Sequence, residues 1–260
     1  MLFRTIMIVA AALPLAALAA PFHWPPGVQA AISLAYDDAL DSQLDHAIPV
    51  LDRYGIKASF YLQLSSAVVA QRLPAWRAAA ARGHELGNHT LFHQCRSSEP
   101  ERSWVQPQRD LDTTSVAQMR DQVVLANTML FAIDGQRERT FTVPCGDTLA
   151  AGQDYLPAIR NEFVAIKSGG GGIAAMAVLD PYAVPVAAPV QLSGKQLIAM
   201  VEAAAAGGTM LNLTFHGIGG DYLSVSSEAH EELVRYLAAN RRRLWTDTFL
   251  NIMKYVKHQQ

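Results

Sequence analysis

Residues 30–38 read Ala30-Ala31-Ile32-Ser33-Leu34-Ala35-Tyr36-Asp37-Asp38, a short apolar run that stops at two adjacent carboxylates. Such a run, too short for a helix and ended by turn-forming acids, is the pattern of a buried strand with a functional C-terminal end. Leu44, Ile48 and Leu51 follow at helical spacing, and Tyr54-Gly55 closes that helix with a C-cap glycine. Lys57 to Gln63 reads as a second strand, a helix runs through Trp76 to Arg82 before Gly83, and Glu85 to Asn88 is a third short strand.

Further along, residues 96–112 are polar and contain Pro100 and Pro107, the composition of a long surface loop. Helices are expected over Val116–Ile133, Gln196–Ala206, Glu228–Ala239 and Asp247–Val256, and strands over Thr140–Val143, Glu162–Ile166 and Thr209–Phe215. Strands that alternate with helices imply a mainly parallel sheet covered by helices, either a barrel or an open doubly wound sheet. Both place functional residues at the C-terminal ends of strands. With no internal repeat and no linker, residues 21–260 are expected to form one domain.

Half of the 260 residues are hydrophobic and the formal net charge is -2, which gives no electrostatic case for nucleic acid or an anionic membrane as partner. Arg4, the apolar run Ile6 to Leu18 and the small residues around Ala19 mark residues 1–20 as a secretory signal peptide, too short to span a bilayer comfortably. A secreted or periplasmic protein is expected. Its two cysteines, Cys95 and Cys145, are the minimum for one disulfide, which export permits.

Three segments carry candidate chemistry. Asp37-Asp38 could ligate a metal, act as a base or divide the two roles, although an acidic turn or helix cap has the same composition. His89 and His93 lie four residues apart; on a helical turn they would share a face and chelate one ion. Two imidazoles and a carboxylate leave coordination positions open for water and substrate. His216 ends a buried strand and runs into Gly217-Ile218-Gly219-Gly220, a position suited to proton transfer or simply to capping the strand. Gly169–Gly172 lacks the Lys-Ser/Thr of a phosphate-binding loop and reads as a flexible surface segment.

Taken in order, these segments resemble the polysaccharide deacetylase family of carbohydrate esterases. The family's Thr-Phe-Asp-Asp motif is matched loosely by Ala35-Tyr36-Asp37-Asp38, and its His-Ser/Thr-x-x-His motif fully by His89-Thr90-Leu91-Phe92-His93. Arg-x-Pro-aromatic is half met by Thr142-Val143-Pro144-Cys145, and Leu-x-His is approximated by Thr214-Phe215-His216. The resemblance implies a distorted parallel β/α barrel acting on an acetylated carbohydrate. It implies that Asp38, His89 and His93 hold a divalent metal, commonly zinc, and that Asp37 is the general base for a metal-activated water. His216 would be the general acid, and the backbone N–H of Cys145 would stabilise the oxyanion.

Two departures qualify that assignment. Thr142 stands where the family has an arginine that pairs with the base, so another basic group or hydrogen bonds would hold Asp37. The fourth motif has no clear match; Asp180 is the candidate to orient His216. Cys95 lies two residues after His93 and Cys145 lies in the third motif, so the two would bridge if these motifs line one pocket. The rival to an enzyme is a sugar-binding protein on the same fold that has lost turnover.

Overall fold

The computed structural model describes residues 22–170 and 176–259. The expected signal peptide, and the Gly171-Gly172 half of the glycine run, lie outside the described residues.

Eight strands form the main sheet: β1 (Ala30–Asp37), β2 (Ser59–Leu62), β3 (Glu85–Asn88), β4 (Thr140–Thr142), β5 (Ala165–Gly170), β6 (Val184–Val186), β7 (Met210–Phe215) and β8 (Leu244–Thr246). The main helices are α1 (Ile48–Tyr54), α2 (Leu73–Ala81), α3 (Val116–Asp134), α4 (Gly194–Ala206), α5 (Ser227–Ala239) and α6 (Phe249–His258). Their ends follow local chemistry. Ser115 with Gln118 and Ser193 with Gln196 form capping boxes at the starts of α3 and α4, and left-handed glycines at 55 and 135 close α1 and α3.

Every pairing in the main sheet is parallel, in the order β7-β1-β2-β3-β4-β5-β6. Just past β6, the Ala187 N–H donates to the Asn212 carbonyl at 2.9 Å, and its own carbonyl accepts from Thr214 N–H at 2.9 Å. One bridge thus spans the gap back to β7, and the sheet becomes a nearly closed barrel. The distortion lies beside β1. Its first half pairs with β8 through Ala30–Ile32, and its second half pairs with β2 through Ala35–Asp37, on the side opposite β7.

Alternation along β1 divides two cores. Ile32, Leu34 and Tyr36 pack outward among residues of α1, α4 and α5, whereas Ala31 and Ala35 face Tyr61, Ala165, Met210 and Phe249 inside the barrel. That interior is largely polar: Ser33, Asp37, Glu85, Thr140, Thr142, Lys167 and Thr214 are all buried. Glu85 is satisfied by neutral donors, accepting from Ser59 Oγ at 2.5 Å, from Thr140 Oγ1 at 2.6 Å and from the backbone N–H groups of Thr140 and Leu250. The last of these opens α6, so the start of that helix plugs the barrel floor.

The sequence reading of a parallel barrel holds. It misses β6 and β8, each three residues long, and the hairpin Leu149–Ala150/Gln153–Asp154, because such short strands carry no periodicity. It also places the fifth strand early, at Glu162–Ile166 instead of Ala165–Gly170. Residues 43–47 form a π-helical turn before α1.

Gly87 lies beside Tyr61 inside the barrel, and a Cβ there would overlap the Tyr61 ring. Gly87→Ala is expected to cost about 1–3 kcal/mol in denaturant unfolding. Gly170→Ala, where a Cβ would meet nothing, should stay within about 0.5 kcal/mol of the unaltered chain.

Candidate active site

On a continuing strand Asp37 and Asp38 would point to opposite faces. Here Asp38 and Ala39 take left-handed backbone angles, φ 78° and 58°, so the strand ends with Asp37 facing the barrel interior and Asp38 turned into the cleft at its open end. Asp38 Oδ1 lies 3.2 Å from His89 Nε2 and 3.2 Å from His93 Nε2. The ligating atoms of these three residues all fall within 4.8 Å of one another.

The two histidines do not share a helical turn, as the sequence reading had it. Residues 89–93 are irregular, with φ 65° at Thr90 and 50° at His93. Short polar side chains capture the backbone there and outcompete a helix. Asn88 Oδ1 accepts from Thr90 N–H at 2.8 Å, and Thr90 Oγ1 accepts from His93 N–H at 2.9 Å. Asn88 is itself anchored to α3 through the Val123 carbonyl and Asn127 Oδ1. The imidazoles still converge, by a different local route.

His89 Nδ1 donates to the Thr142 carbonyl at 2.8 Å, which fixes the ring with Nε2 turned toward Asp38. The Tyr222 hydroxyl donates to Asp38 Oδ2 at 2.8 Å. Burial acts to raise the Asp38 carboxyl, but hydrogen bonds and charge from His89 and His93 outweigh it and hold the group well below the usual range. For His89, burial pulls down while Asp37, Asp38 and the Thr142 carbonyl more than compensate, so it lies above its ordinary value. A buried carboxylate oxygen that meets two imidazole nitrogens is a donor set suited to a divalent cation.

Asp37 is buried, and among the described residues its Oδ1 has no hydrogen-bond partner. His216, at the end of β7, places Nε2 3.8 Å from Asp38 Oδ2, and its buried Nδ1 has no partner among the described residues. Asp180 therefore does not orient His216; it accepts from the Tyr182 N–H instead. Gln43 ties the two strand ends together, its Nε2 donating to the Asp37 carbonyl at 2.6 Å and to the His216 carbonyl at 3.1 Å. Tyr222 and Gln43 escaped the sequence reading, because the contacts of Tyr222 with Asp38 and of Gln43 with His216 are long-range and belong to no local motif.

Cys145 forms a disulfide with Cys95, with Cα atoms 5.9 Å apart. The two sulfurs are thus committed to each other, although they lie close to His93. Cys145 has φ 58°, and its N–H finds no acceptor among the described residues. Above the histidines opens a cleft of about 720 Å³, with Asp38, His93, His216 and Cys145 along it and Phe92, Trp104 and Tyr222 on its walls. These three aromatics are 42%, 58% and 53% exposed, enough to offer ring faces to a ligand. Trp104 belongs to the 96–112 loop, which is a cleft wall rather than a plain surface loop. Arg96 with Asp112, Arg102 with Asp147 and the Cys145 carbonyl, and the disulfide all fasten it.

A family model described as polysaccharide deacetylase matches residues 26–158. The chain belongs to the polysaccharide deacetylase family. Among solved structures, a Mycobacterium smegmatis protein assigned as a polysaccharide deacetylase is similar in fold, with a TM-score of 0.67 and 15% identity, covering 93% of this chain and 94% of that one. A CE4 family pseudoenzyme from Bacillus anthracis also shares the fold, with a TM-score of 0.56 and 16% identity over 91% of this chain and 69% of its own. A gellan lyase from Bacillus sp is 27% identical over 123 residues, 47% of this chain but only 4% of that protein's length. Family membership agrees with the fold; the roles of individual residues rest on their geometry.

The disulfide gives a direct check. Unreduced, denatured protein is expected to take up no alkylating reagent, and reduction should expose two thiols, both located by peptide mass mapping to Cys95 and Cys145.

Proposed function

We propose that this polysaccharide deacetylase family member is an exported, divalent-metal-dependent hydrolase that removes acetyl groups from N- or O-acetylated carbohydrate. The observation that carries the reading is the convergence of Asp38, His89 and His93 on one point, beside Asp37 and His216, at the floor of an aromatic-walled cleft. Export is supported by the N-terminal sequence and by a disulfide of the kind that oxidising compartments preserve. Among the described residues no helix is long and apolar enough to cross a membrane.

Asp38 Oδ1, His89 Nε2 and His93 Nε2 would hold the ion, zinc in the first instance. When bound, it would supply Lewis acidity that polarises the acetyl carbonyl and makes water a better nucleophile near neutral pH. The remaining work belongs to the chain. Asp37 takes a proton from the attacking water as its oxygen bonds to the acetyl carbon. The Cys145 N–H donates to the carbonyl oxygen as that atom gains charge; losing such a donor typically costs about 10²–10³ in kcat. His216 gives a proton to the departing sugar nitrogen or oxygen as the carbon–heteroatom bond breaks, which leaves acetate and a free amine or hydroxyl. Tyr222 steadies Asp38, and the ring faces of Phe92, Trp104 and Tyr222 give the sugar an apolar seat.

A second reading is a carbohydrate-binding protein without turnover. Thr142 in the arginine slot favours it, and a pseudoenzyme is known on this fold. The complete set of Asp37, Asp38, His89, His93 and His216 favours the enzyme.

Acetate release from acetylated glycans and from an aryl acetate, with and without chelator, separates the two. The metal-loaded chain should release acetate, and chelation should stop it. Asp37→Asn is expected to lower kcat by about 10²–10⁴ with metal content intact, whereas His89→Ala should lose both. Release that persists in fully chelated protein would contradict the mechanism. Trp104→Ala should raise KM for a glycan about fivefold and leave the aryl acetate unaffected, the loss of one stacking face being about 1 kcal/mol.

A further inference from the structure

A fully buried lysine, Lys167, sits in the barrel interior. An ammonium out of water costs several kcal/mol unless opposite charge or hydrogen bonds meet it. Its strand register fixes where it points. Lys167 pairs with Thr142 on β4, and its Nζ reaches Thr214 Oγ1 on β7 at 3.3 Å. Nζ also lies 4.1 Å from the centre of the Tyr61 ring on β2 and 5.3 Å from that of Phe249.

Those contacts locate the charge. β7 and β2 are the two neighbours that flank the C-terminal half of β1, Thr214 being the register partner of Ala35 and Tyr61 that of Asp37. A group that touches both stands in front of β1 at the level of Ala35–Asp37, where the alanine side chain leaves room. Asp37 faces the same interior with Oδ1 unpartnered. The other interior carboxylate, Glu85, is already satisfied by Ser59, Thr140 and the start of α6. Among the described residues no carboxylate forms a direct ion pair with Lys167. Asp37 thus has an unmet acceptor, and Lys167, with one long hydrogen bond, has unmet donors.

We propose that Lys167 is a positioning residue for Asp37: its ammonium, set in front of β1, is the counter-charge that holds the Asp37 carboxylate in its working orientation. The proposal rests on the role of Asp37 as base given above. It supplies, from the strand beside Thr142, the basic group whose usual place Thr142 leaves empty. Burial pulls the ammonium down to about 8, and the charges of Asp37 and Glu85 oppose the fall. The Tyr61 and Phe249 rings add a cation–π cradle that fixes the head group.

Two arms test it. In steady-state kinetics on the metal-loaded protein, Lys167→Met should lower kcat at least about tenfold with KM and metal content unchanged, since a misplaced reacting group forfeits up to about a hundredfold. Lys167→Arg should recover most of that loss. Full kcat in Lys167→Met, or equal losses in both variants, would overturn the proposal in favour of mere interior packing. The second arm needs no turnover. With side-chain-labelled lysine, the Lys167 resonance is identified by its absence in Lys167→Arg and titrated in wild type and in Asp37→Asn. Its midpoint should fall by more than about half a pH unit when the Asp37 charge is removed. An unchanged midpoint would show that the two groups are not coupled and would end the idea. A wild-type chain that releases no acetate would defeat the functional reading, while the resonance titration would still decide the pairing.

Discussion

Two neighbouring carboxylates can serve one site only where the strand that carries them ends, because a strand sends adjacent side chains to opposite faces. The left-handed turn at Asp38 and Ala39 is that ending. It leaves Asp37 inside the barrel, lifts Asp38 to the open end, and so gives consecutive carboxylates different surroundings. Non-glycine residues pay about 1–3 kcal/mol for such backbone angles. Thr90, His93 and Cys145 share the same region of conformational space, so the strain gathers around the site. It is offset locally: Tyr222 and the two imidazoles hold Asp38, Thr90 Oγ1 holds the backbone of His93, and the disulfide ties the Cys145 turn to the wall opposite.

Behind that turn lies a polar barrel interior. An apolar filling would pack as well, but it would give Asp37 no electrostatic setting. Instead, Glu85 joins β2, β4 and α6 through neutral donors, and Lys167 is suspended between Thr214 and the Tyr61 ring. Gly87 is the steric condition for this arrangement, since only a residue without Cβ lets Tyr61 cross the interior. The fold and the chemistry therefore share components. The start of α6 closes the barrel floor and satisfies the carboxylate that would otherwise compete for the buried lysine.

The strands that carry the site and the chemical kinds at their ends could be read from residues 30–38, 85–93 and 209–216 alone, because each is a local pattern. Local patterning could not give the route between His89 and His93, where hydrogen bonds from Asn88 and Thr90 replace the helical turn that the spacing suggests. Nor could it give Tyr222, 184 positions from Asp38, or the approach of Lys167 to β1, which depends on the closure of the barrel. Residues 96–112 look like solvent-exposed loop by composition. They become a cleft wall through the Cys95–Cys145 link and the Arg102 contacts, which are long-range pairings. Asp180 fails as a partner for His216 because its carboxylate is used within its own turn.

The central claim is that Asp38, His89 and His93 grip a single cation. Anomalous diffraction at the zinc edge, from crystals of the zinc-loaded protein, tests it most directly. The expected result is one strong peak about 2.0–2.2 Å from Asp38 Oδ1, His89 Nε2 and His93 Nε2 together. A well-ordered site with no peak between those atoms, or with zinc held elsewhere on the chain, would contradict the account.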